Sequence, residues 1–283
     1  MSTAPAPLET GARASDGHAW RLLGRVPARP RACVLWLPAL GVAARHYLPL
    51  AEALAARGVA AFVHEWRGHG SSSLRARRGV DWGYRELLAL DIPASQAVIA
   101  ERAGDLPRAL GGHSLGGQLA CCRLALAPDA ADTLWMVASG APYWRAFPMP
   151  HRAWLPLAYR FLPWLASAYG ALPGRRIGFG GNEAAGLVRD WARTALGGRY
   201  AAAGLDADLE AGLARLDRPV HGLLLAHDWL APRGSLEFLL GKMPRAPARV
   251  DCLDEAALGA PADHYAWMRQ PAAIADRLCA QWP

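Results

Sequence analysis

Gly112-His113-Ser114-Leu115-Gly116 carries the strongest signal in this chain. The pattern G-x-S-x-G sets a serine on a strand-to-helix turn too tight for side chains at the flanking positions, and the turn lifts the hydroxyl out of the sheet, where a base can reach it. The surroundings suit such a turn. Residues 32–37 upstream are a short aliphatic run, and residues 115–126 downstream are Ala/Leu-rich and helical in character. The bland alternative, a serine that only caps a helix after a glycine turn, needs no partners elsewhere in the chain.

On either side of this turn, strand and helix signals alternate, which predicts a mostly parallel sheet with helices on both faces. Residues 18–26 look like an early edge strand, and residues 32–37 suit a strand buried on both faces. Residues 47–57 carry apolar side chains at helical spacing and stop at Gly58, a natural C-terminal cap. A strand is expected over 59–65, a long helix interrupted near Pro93 over 84–103, and a short strand leading into Gly112. Residues 133–139 read as another buried strand. From about Ala141 the pattern changes: Trp144, Trp154, Trp164 and Trp191 appear among prolines and glycines with no clear strand. Residues 141–215 are therefore expected to form a helical cap over the sheet. Strand signals resume at 220–226 and 249–253, and 272–282 reads as a closing helix. The expected organisation is a flexible segment over 1–17, a core built from 18–140 and 216–283, and the cap between them.

A serine hydroxyl is a poor nucleophile at neutral pH; it needs a base, and a third group to hold the base in one tautomer. In a sheet of this kind the partners follow in the order Ser, acid, His. The apolar run 220–226 ends at His227-Asp228-Trp229, which puts Asp228 at a strand's carboxyl end, where open sheets keep their ligands. After the next strand, a polar loop leads to Asp263-His264-Tyr265. Ser114, Asp228 and His264 are the expected triad. His221 and His227 are the competing bases: the first lies mid-strand, and the second adjoins the acid and should point to the other face. Asp254 and Asp263 are the fallback acids. An oxyanion needs two preorganised N–H donors. Leu115, directly after the serine, should supply one. Pro38-Ala39-Leu40-Gly41 should supply the other, and because Pro38 has no N–H the choice falls on Ala39 or Leu40, with Leu40 favoured.

Composition bounds the rest. A hydrophobic content of 53% against 19% charged residues leaves ample material for a core. The net charge of +7 invites a nucleic-acid reading, but the basic residues are scattered arginines, with Arg75, Arg77 and Arg78 the one compact knot, and no longer basic stripe carries stacking aromatics. Cys33, Cys121, Cys122, Cys252 and Cys279 are odd in number and lack Cys-x-x-Cys spacing, so they read as small buried side chains in a reducing compartment. Residues 1–16 have no apolar stretch after a basic start, and no run approaches the roughly 18 apolar residues of a spanning helix. The expected location is the cytoplasm. No metal-ligand spacing and no phosphate-binding loop occur, so neither a metal nor a cofactor is expected.

These residues resemble the α/β-hydrolase superfamily. Glu65-Trp-Arg-Gly-His-Gly-Ser-Ser72 is similar to the Asp-x-Arg-Gly-x-Gly-x-Ser segment that comes after the fourth strand in those enzymes. Gly112-His-Ser-Leu-Gly-Gly-Gln118, Pro38-Ala-Leu-Gly-Val42 with Tyr47, and Asp190-Trp-Ala-Arg193 with Gly198-Arg-Tyr200 resemble bacterial serine hydrolases near the serine-aminopeptidase-like branch. The resemblance covers about 32–282 and implies an α/β-hydrolase fold with Ser114 as nucleophile, His264 as base, Asp228 as orienting acid and Leu115 as an oxyanion donor. The sequence departs from the pattern at Pro38-Ala39, where His-Gly is common, and at Glu65, preceded by His64, a change expected to be structural. The resemblance thus implies an esterase-like serine hydrolase acting on a small apolar acyl substrate through an acyl-enzyme. An acyltransferase with the same triad and a non-catalytic ligand-binding fold are the alternatives. A nucleic-acid partner is not expected, and Arg145, Arg152 and Arg160 among the cap tryptophans leave membrane-surface contact as a lesser alternative. The oligomeric state is not legible in the sequence.

Overall fold

A computed structural model describes residues 5–280 and 282. Its strands, in chain order, are β1 (Ala6–Arg13), β2 (Ala19–Val26), β3 (Ala32–Leu37), β4 (Val59–Val63) and β5 (Arg108–His113). They continue with β6 (Thr133–Val137), β7 (Ala171–Pro173), β8 (Asn182–Ala184), β9 (Val220–Leu225) and β10 (Ala248–Leu253). The α-helices are α1 (Leu48–Ala55), α2 (Tyr84–Glu86), α3 (Ile92–Ala103), α4 (Leu115–Leu126), α5 (His151–Tyr169) and α6 (Gly174–Ile177). After them come α7 (Ala185–Gly197), α8 (Leu209–Arg215), α9 (Arg233–Leu240), α10 (Glu255–Leu258) and α11 (Ala272–Cys279).

Eight strands form one sheet in the order β1-β2-β4-β3-β5-β6-β9-β10. The β1–β2 and β2–β4 pairs are antiparallel and the remainder parallel. The central parallel strands are buried on both faces because side chains alternate across them. In β3, Cys33, Leu35 and Leu37 enter the core on one face of the sheet, while Ala32, Val34 and Trp36 enter the other. This is the fold that the alternating signals predicted.

The N-terminal expectation needs correcting. Residues 6–13, expected to be flexible, pair antiparallel with β2 along their whole length. Their side chains are mostly exposed, so main-chain hydrogen bonds rather than a buried stripe hold them, and no apolar alternation announced the strand. As a result β2 is an interior strand, not an edge. Residues 1–4 lie outside the described residues. Between Tyr84 and Ala103 the helix runs through a π turn over Leu87–Asp91, with Ile92 N–H bonded to Leu87 C=O, just ahead of Pro93. A π turn spreads the ladder where proline has no N–H to give.

The segment between β6 and β9 holds the helical insertion, α5 to α7, with β7 and β8 pairing as a short antiparallel ladder that the sequence did not announce. Its later part returns to the core layer: at Gly212 in α8 an added Cβ would lie 2.5 Å from Ala125 C=O at the end of α4. Helix α8, which the expected boundary at 215 assigns to the cap, thus packs on the core.

Candidate active site

Ser114 sits between β5 and α4 with φ +53°, the left-handed region that side chains rarely occupy. The glycines around it make the turn feasible. A Cβ on Gly112 would fall 2.3 Å from Gly116 C, and a Cβ on Gly116 would fall 2.0 Å from Leu37 C=O. Both distances are far inside van der Waals contact, so the closeness of β3, β5 and α4 requires glycine at these positions. Ser139 Oγ donates to Ser114 C=O at 2.7 Å, and Ser114 N–H donates to Val137 C=O at 3.2 Å, which fix the backbone. The side chain faces a cavity of about 310 Å³ that is also lined by Leu40, Leu115, Gln118 and His264.

Asp228, just past the end of β9, is buried, and its two oxygens have separate duties. Oδ1 accepts the N–H groups of Leu230 at 2.9 Å and Ala231 at 3.1 Å. Oδ2 faces His264 Nδ1 at 2.7 Å. With both other donors on Oδ1, the short contact at Oδ2 is the imidazole N–H donating to the carboxylate, which leaves His264 Nε2 as a bare acceptor. His264 C=O in turn accepts Trp267 Nε1–H at 3.1 Å, anchoring the loop. Ser114 and His264 both line the cavity, with no direct hydrogen bond between them.

The competing residues are engaged elsewhere. His221 Nε2 meets Asp251 Oδ2 at 2.8 Å on neighbouring strands, away from the cavity. His227 is exposed and lies 3.2 Å from Glu255. Asp254 caps α10 through Ala257 N–H, and Asp263 accepts the N–H groups of Tyr265 and Ala266, so each acid serves a local turn. Glu65 is buried and accepts N–H groups from Ala44 at 3.0 Å and Ser71 at 3.2 Å, tying the loops after β3 and β4 together. Burial pushes the His64 imidazole down to about 3, so it is a neutral packing group.

The N–H groups of Ala39 and Leu40 differ in what they meet. Ala39 N–H donates to Tyr47 Oη at 2.8 Å and is thereby consumed. Leu40 lines the cavity, and its N–H has no acceptor among the described residues. Leu115 N–H, at the first position of α4, has none either, and it lies at the positive end of the helix dipole.

Tyr47 belongs to a support network that spacing alone could not reveal. Its hydroxyl accepts from Ala39 and has its own proton free for His113 Nδ1, 2.8 Å away. The His113 ring lies 4.7 Å from that of His264. Burial holds the His113 pKa well below the usual imidazole value, and repulsion from a charged His264 adds to this, so His113 stays neutral beside the candidate base. Tyr47→Phe would strand two buried polar groups and is expected to cost about 1–3 kcal/mol. Urea denaturation of the two proteins checks this; an unchanged midpoint would show that the network carries no weight.

The insertion supplies much of the cavity wall through Phe147, Leu155, Tyr159, Leu162, Phe179 and Trp191. Of the tryptophans singled out in the sequence, Trp154 and Trp191 line the cavity, Trp144 packs within the insertion, and Trp164 does neither. Trp229 and Tyr265, which flank Asp228 and His264 in sequence, line it too, and neither was anticipated.

Comparison with known proteins agrees with this architecture. An esterase domain from Rhodothermus marinus superposes with a TM-score of 0.63 at 17% identity, covering 97% of each chain. A carboxylesterase from Nitrososphaera gargenis gives 0.61 at 15% identity, again with 97% of each chain covered. A hydrolase from Pseudomonas aeruginosa PA01 gives 0.57 at 20% identity, with 98% of this chain and 97% of that one covered. At such identities the likeness is one of fold. A search of curated proteins finds no match. The family model described as serine aminopeptidase, S33, matches residues 28–190, more than half of the chain. With the eight-stranded sheet, the helical insertion and the serine elbow in place, the chain belongs to that α/β-hydrolase family.

Proposed function

We propose that the chain is a serine hydrolase that cleaves a carboxylic ester, or a closely related acyl bond, of a small apolar substrate. The observation that carries this reading is buried Asp228, 2.7 Å from a His264 that lines the same cavity as a serine held at φ +53°. In the reaction, Ser114 Oγ attacks the acyl carbon as its proton passes to His264 Nε2. The carbonyl oxygen takes the negative charge and accepts hydrogen bonds from Leu40 and Leu115 N–H. Collapse expels the alcohol, which receives the proton from His264, and leaves the acyl group on Ser114. Water then attacks that acyl group, giving its proton to the same nitrogen; the acid departs and the serine is regenerated.

The cavity argues for an acyl chain over a peptide. Among its described lining residues none is acidic, so nothing there would bind the ammonium group of a peptide's free end. Its walls instead offer Leu, Phe, Tyr and Trp side chains, which favour apolar groups. Labelling with a fluorophosphonate probe tests the reading. Wild type should be labelled at Ser114, Ser114→Ala should not react, and His264→Ala should react far more slowly because the hydroxyl loses its base. A folded wild type that resists the probe would instead mark the cavity as a binding site without acyl chemistry.

A further inference from the structure

Helix α5 is apolar on two opposite faces, and only one of them is covered. Leu155, Tyr159, Leu162 and Ala166 are buried inward. Trp154, Leu157, Phe161 and Trp164 recur at i, i+3, i+7 and i+10 and form one outer stripe, exposed by 43%, 70%, 52% and 63%. A helix needs one apolar stripe to pack on a core; a second one facing water implies another apolar phase. The stripe also reaches the cavity. Trp154, Ile177, Trp229 and Tyr265 are each roughly half exposed and each lines the cavity, so its mouth is rimmed by the same exposed apolar side chains.

The charge of this stretch of chain is one-sided. No acidic residue occurs between Asp132 and Glu183, whereas Arg145, Arg152, Arg160, Arg175 and Arg176 all fall in that interval. All five are exposed, and none meets a described carboxylate within 4.0 Å. This stretch thus carries five positive charges and no negative one, against a net +7 for the whole chain.

We propose that the α5 face docks onto an anionic lipid bilayer. Tryptophan and phenylalanine favour the boundary between headgroups and acyl chains, and the exposed arginines of the same stretch would meet lipid phosphates. No described helix is long and apolar enough to cross a membrane, so α5 would lie in the surface plane. A second copy of the chain is a poorer occupant, because a twofold contact would bring together two copies of a stretch that carries five arginines and no acid. Docking would set the cavity mouth against the bilayer. If Ser114 performs the acyl chemistry proposed above, an apolar substrate could then enter without crossing water.

Co-flotation of the full-length Ser114→Ala chain with vesicles tests the docking independently of turnover, so failure of the acyl chemistry would leave the result untouched. The chain should float with phosphatidylcholine vesicles containing about one-third phosphatidylglycerol, and at least about tenfold less with phosphatidylcholine alone. Leu157→Ser, Phe161→Ser and Trp164→Ser combined should abolish flotation without lowering the melting temperature, since all three side chains are exposed. Arg152→Glu with Arg160→Glu should remove the preference for anionic vesicles. The proposal is overturned if the parent stays at the bottom with both vesicles, or if the serine variant floats like its parent. It is equally overturned if the parent sediments as a dimer that the serine substitutions dissociate while neither protein floats.

Discussion

Asp228→Asn is expected to lower kcat for ester hydrolysis by about 10⁴-fold while the chain stays folded. The reason lies in how the carboxylate is held. Oδ1 accepts the N–H groups of Leu230 and Ala231, so in the variant the amide oxygen must occupy that position and the amide NH₂ must face His264. Any other orientation would oppose donor to donor twice. The NH₂ would then donate to His264 Nδ1, now forced to be an acceptor, and the imidazole proton would move to Nε2. In the proposed mechanism that nitrogen takes the proton from Ser114. The variant would therefore keep a well-packed site with the proposed base in the wrong tautomer, and the buried negative charge available to an imidazolium would be lost as well. Steady-state kinetics on a soluble ester reads the loss, and ¹⁵N NMR of the imidazole reads the tautomer. A kcat within about tenfold of wild type would mean that Asp228 does not orient a catalytic base.

The geometry behind this expectation was partly legible in the chain itself. Residues 32–37 and 220–226 are continuous apolar runs, and a strand buried on both faces leaves that signature, so β3 and β9 were identified to within a residue. With the strands read in chain order, Asp228 and His264 could be singled out by position: each stands in a loop beyond the carboxyl end of a strand. The choice between Ala39 and Leu40 was not decided by spacing, because it depends on where Tyr47 sends its hydroxyl. Nor could spacing show that Asp91 would accept two hydrogen bonds from Arg67, at 2.6 and 2.8 Å, and face His18 Nδ1 at 3.1 Å. That buried cluster joins three distant segments, and no periodicity encodes it. β1 was missed for the opposite reason. It is local, but a main-chain ladder carries no side-chain pattern to read.

Gly116→Ala is expected to be severely disruptive for a single added methyl, at about 3 kcal/mol or more of stability, with acyl-transfer activity lost in whatever still folds. The added Cβ would lie 2.0 Å from Leu37 C=O and 2.6 Å from Pro38 C=O. Both are backbone atoms, and neither can swing aside as the end of a flexible side chain would. Relief requires α4 to retreat from β3 or the 38–41 loop to move outward. The first displaces Leu115 N–H and the serine elbow; the second displaces Leu40 N–H. Either way the two proposed oxyanion donors separate, so stability and catalysis should fall together. Gly197→Ala is the matched control. It lies at the end of α7 with nothing within 4 Å of an added Cβ, and alanine there should be neutral or stabilising by up to about 1 kcal/mol. Urea midpoints and kcat/KM for both variants make the comparison. A Gly116→Ala protein with wild-type stability would show that β3 and α4 can part without cost. The tight packing that positions Ser114 would then have to be sought elsewhere.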